Sequence, residues 1–160
     1  MAGLFTSAHV DGALPGEVDA LAELHRESFR RGWSPQEIAA MLRDPSAFIL
    51  ALRLRPLLGT PRLAGFVAVR FAADEAEILT IAVAKRDRGR GYGRILMDDV
   101  VRRLYREHIR TLFLEVDRAN AAAVRLYKRL GFAVVGERRQ YYAQPGEGDG
   151  TALVMRLQVR

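Results

Sequence analysis

With 160 residues, 49% of them apolar and 28% charged, the chain has the size and balance of a globular domain and is neither disordered nor fibrous. It contains no cysteine, which excludes a disulfide framework, a thiolate metal cluster and an acyl-cysteine intermediate. A net charge of +6 calls for an anionic partner, and nucleic acid, a phosphorylated cofactor and an acidic protein all fit it. The longest apolar run, Ala47 to Leu52, falls far short of the roughly 18 residues of a membrane span. Met1 to Val10 lacks a basic start followed by an apolar block, so no export signal is expected and a cytoplasmic location is the default. Without repeats or a Pro/Gly/Ser linker, residues 1–160 are expected to form a single domain.

The segment from Glu17 to Phe29 reads as a helix with Val18, Leu21 and Leu24 or His25 on one face. A second, short helix begins at Ser34 as N-cap, with Pro35 in its first turn and Glu37 three residues beyond the cap; Asp44-Pro45 ends it. Ala47–Arg53 and Leu63–Phe71 are β-rich and flank the turn chemistry of Pro56 to Pro61, which predicts an antiparallel hairpin. Glu77–Val83 is apolar enough for the centre of a sheet. Ile95–Ile109 reads as a helix with Leu96, Val100 and Leu104 on one stripe and Met97, Val101 and Tyr105 beside it. Thr111–Val116 is a further buried strand, and Asn120–Leu130 a further helix, stopped by Gly131. Phe132–Val135 and Thr151–Leu157 complete the sequence of elements as paired strands. The order gives a mixed sheet in an α/β layered domain.

The basic residues are concentrated: Lys85, Arg86, Arg88, Arg90 and Arg94 stand against the single acid Asp87. This cluster contains Arg88-Gly89-Arg90-Gly91-Tyr92-Gly93-Arg94, between a buried strand and the start of a long helix. Glycines let the backbone approach a ligand and turn its N–H groups in one direction, and a helix N-terminus adds about half a positive charge. Such a junction suits a diphosphate. The alternative is a plain soluble turn that starts a helix. Neither G-x-G-x-x-G nor G-K-[ST] is present, so a Rossmann or P-loop nucleotide site fits less well.

Arg88-x-x-Gly91-x-Gly93 after Ile81-Ala82-Val83 resembles the acyl-CoA pyrophosphate loop of the GNAT N-acetyltransferase superfamily. Leu114-Glu115-Val116, Ala119-Asn120-Ala121-Ala122-Ala123, Leu126-Tyr127, Leu130-Gly131-Phe132 and Arg138-Arg139-Gln140-Tyr141-Tyr142 continue the likeness. Within the superfamily, it is strongest to enzymes that acetylate the N-terminal alanine of a ribosomal protein. It spans Glu75 to Leu157, about half the chain, with Gly32-Trp33-Ser34 similar to the substrate-side turn. Ala84-Lys85 departs from a common proline after the strand, and the Arg55 to Arg62 connection is longer than usual.

The resemblance implies a mostly antiparallel central sheet of six to seven strands flanked by about four helices. It implies acetyl-CoA as co-substrate, held by Ile81, Ala82, Val83, Arg88, Gly89, Arg90, Gly91, Tyr92, Gly93, Arg94 and Asn120. An N–H near the strand Ile78–Val83, splayed from its neighbour, would serve as oxyanion donor. Glu115 is implied as general base and Tyr127 as general acid. Periodicity alone reads Tyr127 as a core residue, and Glu115 as an acid paired with an arginine. Asn120 equally suits the N-cap of the following helix. Trp33, Tyr141 and Tyr142 are candidates for acceptor contact, or for simple packing. The three histidines, two of them read as helical and His9 near a loose terminus, form no metal pattern, and no metal is expected.

The resemblance implies a protein N-terminus as acceptor, and proton accounting agrees with it. An α-amino group with pKa about 7.7–8.0 is partly neutral at pH 7, whereas lysine near 10.4 needs about 3.5 kcal/mol more for deprotonation. One modest base therefore suits a protein N-terminus, which the resemblance implies belongs to a small-subunit ribosomal protein beginning with alanine. A small amine, polyamine or antibiotic is the alternative acceptor. A non-catalytic RNA- or ribosome-binding module is the alternative class, although no RNP-type aromatic motif supports nucleic-acid contact.

Overall fold

The computed structural model describes residues 7–139 and 150–160. The elements are β1 (Ser7–Gly12), α1 (Val18–Ser28), α2 (Pro35–Arg43), β2 (Ala47–Arg55), β3 (Arg62–Ala72), β4 (Glu75–Val83), α3 (Tyr92–Arg106), β5 (Thr111–Asp117), α4 (Ala121–Arg129), β6 (Ala133–Arg139) and β7 (Thr151–Gln158). The strands hydrogen-bond in the order β1-β2-β3-β4-β5-β7-β6, so β4 is central, as its composition predicted. The β4–β5 pair is parallel, while β1–β2, β2–β3, β5–β7 and β6–β7 are antiparallel. The chain divides into two compact units, Met1–Arg70 with Leu79–Arg102, and Phe71–Ile78 with Arg103–Arg160.

In the first unit, Leu21, Leu24 and His25 of α1 pack with Ile38 of α2, Ile49 of β2, Phe66 and Ala68 of β3 and Ala82 of β4. The start of α2 is fixed as its residue types predict: Ser34 Oγ accepts from Glu37 N at 3.1 Å, and the Glu37 carboxylate accepts from Ser34 N at 2.9 Å. A Cβ on Gly65 would lie 2.9 Å from the Ala82 carbonyl, so only glycine lets β3 run this close to β4. Ala84 N donates to Ala64 O at 2.7 Å and pins the exit of β4.

Asp87, in the short 3-10 turn after β4, is 1% exposed and takes both guanidinium nitrogens of Arg62 at 2.7 Å. This pair holds the Asp87 carboxyl below its ordinary range. Arg62→Ala leaves that buried carboxylate without its bidentate partner and with only the exposed Arg86 guanidinium, 4.0 Å away. Urea unfolding at pH 7 should show a loss of about 3 kcal/mol, the low end for such a pair because Arg62 is itself 36% exposed. Because the folded pKa is depressed, the contribution is present at neutral pH and disappears as pH falls through the folded value.

In the second unit, β5 pairs with β7 from Thr111↔Gln158 to Asp117↔Ala152, and β7 pairs with β6. Leu112, Leu114 and Val116 are buried on one face of β5. The parallel ladder with β4 covers Glu75–Glu77 opposite Thr111–Phe113. Asp74 O accepts from Arg110 N and Thr111 N, which sets this register.

Three expectations need correction. The N-terminal segment around His9 is a strand, β1, rather than loose chain; six residues of β2 give it backbone partners that its own mixed composition did not announce. The long helix runs Tyr92–Arg106, beginning at the glycine-rich junction and ending early because His108 adopts φ +60°. His108 is therefore in a turn rather than in the helix, and Tyr105, expected beside the buried stripe, is exposed.

Candidate active site

The glycine-rich segment forms an open junction at the end of β4. Gly89 and Gly91 have φ of +77° and +84°, in the left-handed region that disfavours other residues. A Cβ at either position would meet nothing within 4 Å, so the space above the loop is clear. Gly91 O accepts from Ile95 N at 3.2 Å to open α3, whose first-turn N–H groups, from Tyr92 to Arg94, lack intrahelical acceptors. Outward-directed amides at a helix N-terminus suit a diphosphate, with Lys85, Arg86, Arg90 and Arg94 exposed nearby in sequence.

Arg88 behaves differently. Its Nε donates to Val83 O at 3.0 Å and its Nη2 to Ser28 Oγ at 3.0 Å, so the guanidinium braces the loop against β4 and α1. Both acceptors are neutral, so the exposed guanidinium keeps its charge in a fixed position. Ala82 points into the core at 4% exposure, which leaves only its main chain to contact a cofactor, whereas Ile81 and Val83 stay partly exposed.

Trp33 sits in the α1–α2 turn and lines a recess of ≈ 230 Å³ with Arg31, Glu37 and Met41. Its ring stacks on His25, centroids 4.8 Å apart, and Phe29 stacks on the same imidazole at 4.4 Å. Sequence reasoning assigned His25 no role. The available signal was its place four residues after Leu21 on the buried stripe of α1.

In the second unit, Glu115 lies on the more open face of β5 with Thr111 and Phe113, as strand alternation predicted. Arg138 Nη1 is 3.1 Å from its Oε1, so the arginine pairing also predicted is present. Asn120 is the N-cap of α4: its Oδ1 accepts from Ala123 N at 3.2 Å. That leaves its amide NH2 as the polar group with which it can meet a ligand.

Tyr127 is 6% exposed, edge-on to Phe132 at 5.8 Å, and burial pushes its phenol up to about 12. No buried side-chain oxygen or nitrogen among the described residues lacks a partner. Tyr127 is thus a neutral O–H donor at pH 7, with a fixed ring. Tyr141 and Tyr142 lie outside the described residues. The first unit therefore carries the glycine-rich loop and Trp33, and the second carries Glu115, Asn120 and Tyr127.

The family model of the GNAT acetyltransferases matches residues 18–132. A ribosomal protein bS18-alanine N-acetyltransferase of Salmonella typhimurium is 37% identical over 103 residues, 64% of this chain and 69% of that protein. Its counterpart in Haemophilus influenzae is 33% identical over 99 residues, covering 62% of this chain and 67% of that one. The crystal structure of the ribosomal-protein-S18-alanine N-acetyltransferase from Escherichia coli superposes with a TM-score of 0.83 at 26% identity, over 96% of this chain and 94% of that one. Among the described residues, no helix is long and apolar enough to cross a membrane.

Proposed function

The chain belongs to the acetyltransferase (GNAT) family, and on that premise we propose that it moves the acetyl group of acetyl-CoA directly to the N-terminal α-amino group of a ribosomal protein that begins with alanine. The observation that carries this reading is the sustained likeness to enzymes named for that acceptor.

Acetyl-CoA supplies an activated thioester. The loop from Arg88 to Arg94 would hold its diphosphate through main-chain N–H groups, while Arg86 and Arg90 attract it at longer range. A main-chain N–H near Ile81–Val83 would receive the carbonyl oxygen as it gains charge. The amine nitrogen forms a bond to the acetyl carbon and the carbon–sulfur bond breaks. Glu115 takes the proton that the amine loses, directly or through water. Arg138 orients this carboxylate through the ion pair. Tyr127 then donates its O–H to the departing sulfur.

A phenol near 12 is a weaker acid than a thiol near 8.5 by about 3.5 units, so full proton transfer would be uphill by about 5 kcal/mol. Tyr127 therefore acts as a hydrogen-bond donor to the developing thiolate, which does not need to leave as the thiol. Asn120 would contact the coenzyme through its amide. Trp33, with Tyr141 and Tyr142, would contact the acceptor chain.

Glu115→Gln should reduce kcat/KM by about 100-fold at pH 7, within the usual range for a general base. The loss should shrink above pH about 8, where the α-amine is already neutral. A pH–rate comparison with the unaltered enzyme checks this, and equal activity at every pH removes Glu115 from the chemistry. The acceptor class is tested by thiol release with alanine-, serine- and methionine-initiated peptides beside spermidine. Preference for the alanine peptide supports the reading, and preference for spermidine overturns it.

A further inference from the structure

His25 is a buried titratable side chain that the mechanism above does not use. It is 3% exposed, yet both ring nitrogens are engaged. Trp33 N donates to Nδ1 at 3.0 Å, which requires Nδ1 to be an acceptor. The ring proton then resides on Nε2, which donates to Thr80 Oγ1 at 3.2 Å. Thr80 belongs to β4, immediately before Ile81, and is itself buried. One imidazole thus links the turn after α1 to the strand that leads into the glycine-rich loop.

The turn needs such a link. Residues 29–34 have no regular secondary structure, and Trp33 N–H is satisfied by a side chain instead of a carbonyl. The same ring stacks on the Trp33 indole, fixing its orientation as well as its backbone. Trp33 and Arg31 in turn form one side of the recess whose other side is Glu37 and Met41 of α2. Any tilt of the turn changes that recess. A leucine in place of His25 would satisfy the core equally well, but would leave Trp33 N–H unpaired.

We propose that His25 is a positioning residue for the amine acceptor: neutral and protonated on Nε2, it ties the Trp33 turn to Thr80 and holds the acceptor recess in shape. The proposal rests on the reading of Trp33 as an acceptor contact. Burial favours the neutral ring by lowering its pKa, and Glu37 of α2 acts in the opposite, weaker sense.

Two conservative variants separate this role from plain packing. In His25→Asn, the amide oxygen occupies the place of Nδ1 and can still accept from Trp33 N. In His25→Gln, the amide extends toward Thr80 and gives up that bond. The KM for an alanine-initiated peptide should rise about fivefold to tenfold in His25→Gln, which loses the Trp33 bond, and only about twofold to threefold in His25→Asn, which keeps that bond and loses the Thr80 anchor. The KM for acetyl-CoA should stay unchanged in both. Equal effects of the two variants, or a shared rise in both KM values, would overturn the proposal.

Trp33 is the single tryptophan, so its emission reports the tie without any turnover. Emission should titrate with the loss of the Trp33–His25 bond as pH falls below the ordinary imidazole value of about 6.5, because burial lowers the His25 pKa, and His25→Asn should abolish that transition. Equal emission of the unaltered protein and of His25→Gln at pH 8 overturns the tie whatever activity is found. Failure of every amine to be acetylated, with the transition intact, would instead sink the proposed function and leave the tie standing.

Discussion

Gly91→Val is expected to weaken acetyl-CoA binding by at least about 100-fold, with the protein still folded. The reason is conformational. At φ +84°, a β-branched residue is held in a region it avoids, at a strain of about 1–3 kcal/mol. The chain relieves that strain by moving the loop, and the amides at the start of α3 then lose their common direction. A second effect adds to it. The Cβ of any residue here would project into the open space above the loop, where no protein atom lies within 4 Å and where a diphosphate has to approach. Loss of affinity therefore cannot come from a clash inside the protein. Titration calorimetry with CoA measures the effect directly, and Gly91→Ala should fall between the two because it lacks β-branching. An unchanged Kd in Gly91→Val would mean that the diphosphate is held elsewhere.

Tyr127→Phe should lower kcat by about 100-fold, the worth of about 3 kcal/mol for a hydrogen bond to a charged group, with CoA affinity retained. The ring is the buried part of this residue, packed edge-on against Phe132, and phenylalanine keeps that packing. Stability should change little, so a loss of rate reports the hydroxyl alone. Since burial raises the phenol to about 12, the hydroxyl is protonated throughout the working pH range and its loss should be pH-independent. This contrasts with Glu115→Gln, whose deficit depends on the amine's charge. Measuring both variants across pH separates proton removal by Glu115 from hydrogen-bond donation by Tyr127. An undiminished kcat for Tyr127→Phe would return Tyr127 to the core.

Much of this was legible because local chemistry was strong. The capping box at Ser34 and Glu37, the turn at Pro56 to Pro61 and the glycine-rich junction each carry their structure in adjacent residues. Alternation placed Glu115 on the open face of β5, and the arginine-rich composition anticipated its arginine partner. What escaped depends on residues distant in sequence. Asp87 appeared as one acid in a basic loop, and its partner Arg62 is 25 positions away at the start of β3. Arg88 counted as one more cation for phosphate, but its acceptors are Val83 O and Ser28 Oγ, the latter 60 positions away. His25 was silent for the same reason, since Thr80 is 55 residues distant. β1 has meaning only through β2.

The most direct test uses an alanine-initiated peptide that also contains an internal lysine, incubated with acetyl-CoA and read by fragmentation mass spectrometry. The account predicts one acetyl group on the α-nitrogen of alanine, with the lysine side chain unmodified. Acetyl found only on the lysine, or no acetyl transfer to the peptide beside rapid acetylation of spermidine, would contradict it.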